Sequence, residues 1–182
     1  MLLYTNRQRD ELRAQLEQTQ SHRFRLQRGE FVPAFTAIAT DGQAHTVASH
    51  DSGSVHIVYL LTSRCPYCRA TMPRWDALAE HLQANDQPNV RVTALTSDSL
   101  PVARALVDSM QFAFPLVSFP DLRTLSLYRA QVVPQTAVIR GDGRILYVRH
   151  GAITTDAAID SIVAVARAAT KDASTTVALV RR

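Results

Sequence analysis

Two cysteines, Cys65 and Cys68, are the residues whose types and spacing most directly favour chemistry. They are the only cysteines among the 182 residues, and Pro66 and Tyr67 separate them. A cysteine pair at this spacing is typical of a redox-active dithiol or of half a zinc site. A structural disulfide stabilises a fold by closing a longer loop, so we do not interpret this pair as a structural cross-link.

A zinc site would need two further ligands beside the cysteines. No second cysteine pair exists, and among the six histidines His45 and His50 have the spacing of paired ligands. Both lie in a stretch that predicts a turn. We therefore predict no metal and no bound cofactor, with the Cys65–Cys68 disulfide itself as the redox group.

The segments around the cysteines predict a junction between a strand and a helix. Residues 55–61 form a continuous apolar run, as in a buried parallel strand. From the cysteines to about Asn85, apolar residues recur at three- and four-residue spacing, as in a helix: Met72, Trp75, Leu78, Ala79 and Leu82. Reactive groups of α/β sheets lie where a strand ends and a helix begins.

At this junction Cys65 would lie at the helix N-terminus and Cys68 one turn further, with both sulfurs on one face. Unpaired backbone N–H groups and the helix dipole favour a thiolate there. We predict that Cys65 is the nucleophile and that Cys68 resolves the mixed disulfide.

Neighbouring residues are expected to support the cysteine pair. Arg64 and Arg69 flank it and would add positive potential if their guanidinium groups point towards the sulfurs. Pro66 and Tyr67 would help to set the stability of the reduced form.

The rest of the chain alternates between strand and helix patterns. The predicted elements are a strand at 90–95, a helix at 101–110, a strand at 116–118, a helix at 122–129, strands at 135–140 and 145–149, and a helix from Thr154 or Thr155 to about Ala169. This order predicts a mixed α/β sheet with helices on both faces.

The two ends of the chain differ from this central part. Residues 5–22 are rich in helix formers but contain few apolar residues, which predicts a polar helix that packs little. We divide the chain into a polar N-terminal helix or stalk (1–28), one α/β domain (29–170) and a loose C-terminal tail (171–182).

Composition excludes several classes of protein. The net charge is only +4, and the arginines are scattered along the chain, so no nucleic-acid-binding face is predicted. The sequence contains no run of about twenty apolar residues, the length that a membrane-spanning helix needs. The short apolar start, Met1 to Tyr4, fits either the remainder of a membrane anchor or an ordinary cytosolic start.

The motifs in residues 29–170 resemble the thioredoxin-like superfamily, and within it the TlpA/ResA-like and redoxin branch. Residues 31–35 followed by Asp41-Gly42 look like the N-terminal hairpin of that branch. Pro73 falls where the family has its helix-kinking proline, and the strand and helix between Val90 and Met110 match an insertion that plain thioredoxin lacks. Val133-Pro134 looks like the family's cis-proline dipeptide, which presents the backbone of Val133 to an extended substrate.

The resemblance implies a thioredoxin fold with a thiol-disulfide oxidoreductase activity. Its implied partners are thiols and disulfides of client proteins, such as an apocytochrome c or, in a MauD-like role, a disulfide-rich enzyme, together with an upstream redox protein. It also implies a monomer on a membrane tether facing the periplasm, with a cytoplasmic location as the alternative.

Two positions depart from the family pattern. Tyr59 stands where thioredoxin has a buried aspartate, and Arg64 stands where TlpA-like proteins often have tryptophan. Thioredoxin's proton relay is therefore not expected here. The Pro-Tyr pair between the cysteines is the one that glutaredoxins use, but two residues do not imply glutathione specificity.

Two alternatives use the same fold. A thiol peroxidase of the peroxiredoxin type is suggested by Thr62, three residues before Cys65, but Val58 occupies the position of that signature's shielding proline. A non-catalytic copper chaperone would need another ligand near Cys68, and only Met72 is close in sequence.

Overall fold

The structure, a computed structural model, describes residues 7–13, 15, 24–49, 53–84, 89–112 and 114–180, without the side chains of 83–84 and 171–180. After an N-terminal helical stretch, its strands and helices in chain order are β1 (Phe35–Ile38), β2 (Ala44–Val47), β3 (Val55–Leu61), α1 (Pro66–Ala84), β4 (Val90–Thr96), α2 (Leu100–Met110), β5 (Leu116–Ser118), α3 (Leu122–Leu127), β6 (Gln135–Arg140), β7 (Ile145–His150) and α4 (Asp156–Val180).

Strands β3 to β7 form one sheet in the order β5-β4-β3-β6-β7. Strand β3 pairs in parallel with β4, and β4 in parallel with β5, whereas β6 is antiparallel to both β3 and β7. The predicted mixed sheet, including the inserted strand β4 and helix α2, is therefore confirmed. Strand β3 lies at the centre of the sheet and ends just before the cysteine pair.

Strand β3 is buried on both faces, which explains its continuous apolar run. Successive side chains of a strand point to opposite faces. Ile57, Tyr59 and Leu61 pack in the core that contains helices α1, α2 and α4. Val58 and Leu60 pack in the second core, on the other face, with residues of the hairpin and of the segment around α3.

Helix α1 presents the apolar stripe that its spacing predicted, and Pro73 lies on its exposed side. The stripe residues are all buried in the first core: Met72, Trp75, Leu78, Ala79 and Leu82. The Trp75 indole N–H donates a hydrogen bond to Thr136 Oγ1 on β6 at 3.1 Å, which fixes the helix against the sheet. The stripe therefore sets the position of the cysteine-bearing end of α1.

The predicted N-terminal hairpin is formed by β1 and β2, which pair with each other outside the main sheet. Its turn contains Gly42 with a positive φ of 82°, and Asp41 accepts a hydrogen bond from the Gln43 N–H at 2.8 Å. An isolated bridge between Ala39 and Val117 attaches the hairpin to strand β5. The hairpin thus covers the second core beside that edge strand.

The turn between β6 and β7 closely approaches the segment before β1. Gly143 has a φ of 91°, and its carbonyl accepts a hydrogen bond from the Val32 N–H at 3.0 Å. A Cβ at position 143 would lie 2.3 Å from the Val32 carbonyl oxygen, nearer than nonbonded atoms approach. This contact therefore requires glycine.

The predicted N-terminal helix is present in the described residues 7–13 and 15. Its Leu12 is 64% exposed, and Arg7 pairs with Glu11 one turn later at 3.6 Å. The remaining residues of the predicted helix, including Leu16, lie outside the described residues. None of the described helices is long and apolar enough to cross a membrane.

The last helix extends further than its sequence pattern predicted. Helix α4 ends at Val180 rather than near Ala169. Neither glycine nor proline interrupts residues 156–180, so no residue of the breaking types stops the helix. The segment from 171 to 180, interpreted as a loose tail, is therefore helical.

Candidate active site

Cys65 and Cys68 lie at the start of helix α1. Cys65 directly precedes the helix, whose first residue is Pro66, a position where the missing N–H of proline costs no helical hydrogen bond. The sulfur of Cys65 accepts a hydrogen bond from the Cys68 backbone N–H at 3.1 Å. No disulfide joins the two cysteines in this structure. A backbone donor of the first helical turn is thus directed at the Cys65 sulfur.

The two thiols differ in their surroundings. Cys65 is half-buried, whereas Cys68 is fully buried against the first core. Burial, reinforced by the neighbouring Cys65 sulfur, raises the pKa of the Cys68 thiol to about 12. An incoming disulfide can therefore reach Cys65 but not Cys68.

The predicted cis peptide bond is found between Val133 and Pro134. The Val133 carbonyl oxygen lies 3.9 Å from the Cys65 sulfur, which brings the loop before β6 against the cysteine. The Gly151 N–H donates to the Pro134 carbonyl at 2.9 Å and holds this loop to the end of β7. Val133 and Pro134 thus lie beside the cysteine, as the family resemblance implied.

The two flanking arginines do not act alike. The Arg69 guanidinium donates two hydrogen bonds, of 3.2 and 3.1 Å, to the Ser63 carbonyl and so holds the junction between β3 and α1. Arg64 is exposed. Tyr67 is also exposed, at 69%. The structure therefore gives Arg69 a positioning contact that its sequence position did not indicate.

Asp98 is a site residue that we did not predict. Its carboxylate accepts hydrogen bonds from the Ser63 N–H at 2.6 Å and from Thr96 Oγ1 at 3.1 Å. It thereby ties the end of β4 to the turn before Cys65. The carboxyl ends of adjacent parallel strands meet at one edge of a sheet, so Thr96-Ser97-Asp98 after a predicted strand was a usable signal.

A buried glutamine, Gln135, joins three segments around the cis proline. Its side chain accepts from the Leu26 N–H at 3.1 Å and donates to the carbonyls of Arg129 and Val132, at 3.0 and 2.6 Å. His150 Nε2 lies 2.9 Å from the Leu26 carbonyl. No local pattern indicated these contacts, because Leu26 is 109 residues from Gln135 and 124 from His150.

These contacts form one wall of a groove beside the cysteine. The groove has a volume of about 390 Å³. Its lining includes Arg25, Tyr67, Val133, Pro134, His150 and Gly151. Tyr67 is two residues from Cys65 and the Val133 carbonyl lies 3.9 Å from its sulfur, so the groove lies beside this cysteine.

Tyr59 occupies the position at which thioredoxin has a buried aspartate. It is fully buried, stacks on Trp75 with ring centroids 4.6 Å apart, and meets Phe114 edge-on. Its hydroxyl has no hydrogen-bond partner in the described part of the chain. Burial raises the pKa of Tyr59 well above its ordinary value, so the phenol keeps its proton at neutral pH.

Among the described residues no group of three or more His, Cys, Asp or Glu side chains is arranged to hold a metal ion. His45 instead lies 3.0 Å from the Asp41 carboxylate in the hairpin, and His50 is outside the described residues. Met72, considered above as a copper ligand, is buried in the first core.

A sheet of this order, a helix that begins directly after a reactive cysteine and a cis proline beside that cysteine define a thioredoxin-fold oxidoreductase. The chain belongs to the AhpC/TSA family, whose family model matches residues 28–148. The resemblance to the thioredoxin-like redoxins is thereby confirmed. No significant match among curated proteins was found.

Solved structures share this fold. A candidate protein disulfide isomerase from Bacteroides thetaiotaomicron is 22% identical with a TM-score of 0.64, and the match covers 78% of this chain and 91% of that one. A candidate thiol:disulfide interchange protein DsbE from Chlorobium tepidum is 21% identical, with a TM-score of 0.63 and coverage of 80% and 99%. The peroxidoxin BcpB from Mycobacterium tuberculosis is 18% identical, with a TM-score of 0.61 and coverage of 79% and 97%. At these identities the likeness establishes the fold alone.

Proposed function

We propose that this protein exchanges disulfides with client proteins, with Cys65 as the nucleophile and Cys68 as the resolving thiol. The observation that carries this proposal is the asymmetry of the pair. The Cys65 sulfur is accessible and accepts the Cys68 N–H, whereas the Cys68 thiol is buried and its pKa is raised to about 12. Such an asymmetry separates the attacking role from the resolving role.

The exchange would proceed in two steps. The Cys65 thiolate attacks one sulfur of a client disulfide, and the other client sulfur leaves as a thiolate. Cys68 then loses its proton and attacks the Cys65 sulfur, which releases the second client thiolate and forms the Cys65–Cys68 disulfide. Two electrons pass to the client in this direction, and the reverse sequence oxidises a client dithiol.

The test is to equilibrate the protein in glutathione or dithiothreitol buffers and to measure its reduction potential. We expect one two-electron transition that is absent from Cys65→Ser and from Cys68→Ser. The potential assigns the working direction, because roughly 150 mV separates thioredoxin from strongly oxidising relatives. Failure of an intramolecular disulfide to form at any potential would contradict the proposal.

The two single variants also test the separate roles. Cys68→Ser should accumulate a mixed disulfide between Cys65 and a client, whereas Cys65→Ser should form none. Non-reducing electrophoresis followed by mass spectrometry identifies the adduct and the cysteine that carries it. Equal inactivity of both variants without any adduct would overturn the assigned roles.

The partners and location belong to the same proposal. Client thiols and disulfides and an upstream redox protein would exchange electrons with a monomer that needs no cofactor besides its own disulfide. One structure that shares the fold is a Mycobacterium tuberculosis disulfide oxidoreductase described as secreted, which supports a site of action outside the cytoplasm. A membrane tether ahead of the polar N-terminal helix would fit the same location.

A thiol peroxidase is the second candidate, favoured by the AhpC/TSA match and by Thr62 three residues before Cys65. Val58, at the position of the shielding proline, lies inside β3 and is fully buried between Thr93 and Ala137. It therefore cannot cover Cys65. We expect slow peroxide consumption by the reduced protein, and turnover comparable to that of a peroxiredoxin would replace our proposal with this one.

A further inference from the structure

We infer that the groove beside Cys65 selects client segments that carry a carboxylate close to their reactive cysteine, and that Arg25 makes this selection. The inference rests on the proposed function, because it names the class of client that the same site would prefer. Three features support it: the position of the groove beside the reactive sulfur, its charge, and the way in which Arg25 is held.

The groove lies where a client bonded to Cys65 would extend. The Cys65 sulfur is flanked by Val133, whose carbonyl lies 3.9 Å away, and Val133, Pro134 and Tyr67 all line the groove. The residues next to a client cysteine bonded to Cys65 would therefore lie in this space. Its volume of about 390 Å³ is within the range of specific binding sites and accommodates a short extended segment.

The lining of the groove has a one-sided charge. Arg25 is its permanently charged residue, and no acidic residue lines it in the part of the chain that the structure describes. The nearby acid Glu30 is engaged elsewhere, in an ion pair with Arg129 at 2.8 Å. A carboxylate entering the groove would therefore meet the Arg25 guanidinium without competition, and a guanidinium binds carboxylates through two parallel hydrogen bonds.

Among the described residues, the contacts that hold Arg25 in place are made by its backbone. Its carbonyl accepts a hydrogen bond from Arg129, and the adjacent Leu26 is fixed by Gln135 and His150. Leu26 itself is buried in the second core. Because these contacts use only the backbone at position 25, the guanidinium can bind a ligand without losing an interaction that stabilises the fold.

The test compares two synthetic peptides with one activated cysteine disulfide, identical except that one carries Glu and the other Gln on each side of the cysteine. Stopped-flow absorbance gives the second-order rate constant with the reduced full chain. We expect the acidic peptide to react about fivefold faster, a difference in the range of a partly exposed ion pair. The preference should shrink at about 1 M salt, where screening extends only about 3 Å.

Two variants assign the selectivity to a residue. Arg25→Gln should reduce the ratio of the two rate constants, acidic peptide over Gln peptide, from about five to about one. Arg104→Gln is the matched control, because Arg104 is exposed on helix α2 outside the groove, and it should keep the wild-type preference. Thermal unfolding of both variants establishes that they fold.

The outcomes separate this inference from the proposed function. Equal reaction with both peptides, or a preference that persists in Arg25→Gln, would overturn the inference while disulfide exchange stands. No reaction of either peptide at Cys65 would overturn the proposed function itself. Glutathione disulfide is tested as a third substrate. If its rate constant exceeds that of the acidic peptide, the groove binds glutathione rather than a segment of a client protein, and the inference is overturned.

Discussion

The difference between the two sulfurs is set by single contacts. The Cys68 N–H donates to the Cys65 sulfur, and the Cys68 side chain is buried against the core of α1. The first contact directs a helix N-terminal donor at the Cys65 sulfur, and burial disfavours the ionised form of Cys68. In the exchange that we propose, the order of events follows from where each sulfur lies along one helical turn.

This order predicts the pH dependence of the second step. With an aromatic disulfide that releases a coloured thiolate, the reduced protein should release two thiolates and Cys68→Ser only one. The second, unimolecular release should accelerate about tenfold per pH unit between about pH 6 and 9, because only the thiolate attacks and Cys68 ionises far above that range. A plateau within this range, measured by stopped-flow absorbance, would mean that Cys68 ionises readily.

Two buried tyrosines provide a matched comparison of hydroxyl groups. The Tyr59 hydroxyl has no partner in the described part of the chain, whereas the Tyr128 hydroxyl donates to the Pro33 carbonyl at 2.8 Å. We expect Tyr59→Phe to raise the free energy of unfolding by about 1 kcal/mol and Tyr128→Phe to lower it by about 1 kcal/mol. Urea unfolding measures both, and a loss in Tyr59→Phe would show that its hydroxyl is satisfied.

At the scale of elements, the site is positioned by the segment before β1 and by the turn between β6 and β7, which are neither helix nor strand. The segment before β1 is bonded to Gln135 and His150 on the sheet and packs against the turn between β6 and β7. It thereby supplies a wall of the groove although it lies outside the five-stranded sheet. A disturbance of that turn should affect both stability and the groove.

Glycine substitutions test the contact at that turn. Gly143 and Gly42 both have positive φ, but a Cβ meets the Val32 carbonyl only at Gly143. We expect Gly42→Ala to cost about 1 kcal/mol, from its backbone conformation alone, and Gly143→Ala to cost at least about 2 kcal/mol more, since the Val32 backbone must shift. Chemical unfolding measures the difference, and equal losses would contradict the close approach.

Much of the fold followed from patterns that are local in sequence. The apolar run of β3, the stripe of α1 and the turn residues Asp41-Gly42 predicted their elements, and the spacing of Cys65 and Cys68 predicted the reactive pair. The cis bond at Pro134 was predicted only through the family resemblance. Contacts between residues far apart in sequence could not be predicted in this way. No local pattern around Gln135 or Arg25 indicates that they contact Leu26 and Arg129, respectively.

At the scale of the whole molecule, the burial of one cysteine and two tyrosine side chains predicts a loss of stability at alkaline pH. Burial raises the pKa of Cys68 to about 12 and raises the pKa values of Tyr59 and Tyr128 as well. The folded state therefore holds these protons more tightly than the unfolded state does. Their stabilisation is complete below the unfolded pKa values, about 8.5 for cysteine and about 10 for tyrosine, and is lost as the pH rises.

The reduced protein should accordingly lose up to about 1.4 kcal/mol per pH unit from Cys68 above about pH 8.5, with the tyrosines adding to the slope above about pH 10. Urea unfolding at a series of pH values provides the measurement. Cys68→Ala should remove the loss of stability that begins above about pH 8.5 and retain the loss that the tyrosines cause above about pH 10. An unchanged slope between about pH 8.5 and 10 in this variant would assign the decline to other groups.

Strand β3 is paired on both sides in the five-stranded sheet, and this pairing determines how the protein unfolds. Edge strands and chain ends open through local fluctuations, whereas a strand paired on both sides opens only when the whole domain does. The amides of β3 should therefore be among the slowest to exchange with deuterium, and those of β5 and β7 faster. Because Cys65 comes four residues after the end of β3, its sulfur is attached next to the most persistent part of the chain, and heating should abolish disulfide exchange and the folded sheet in a single step.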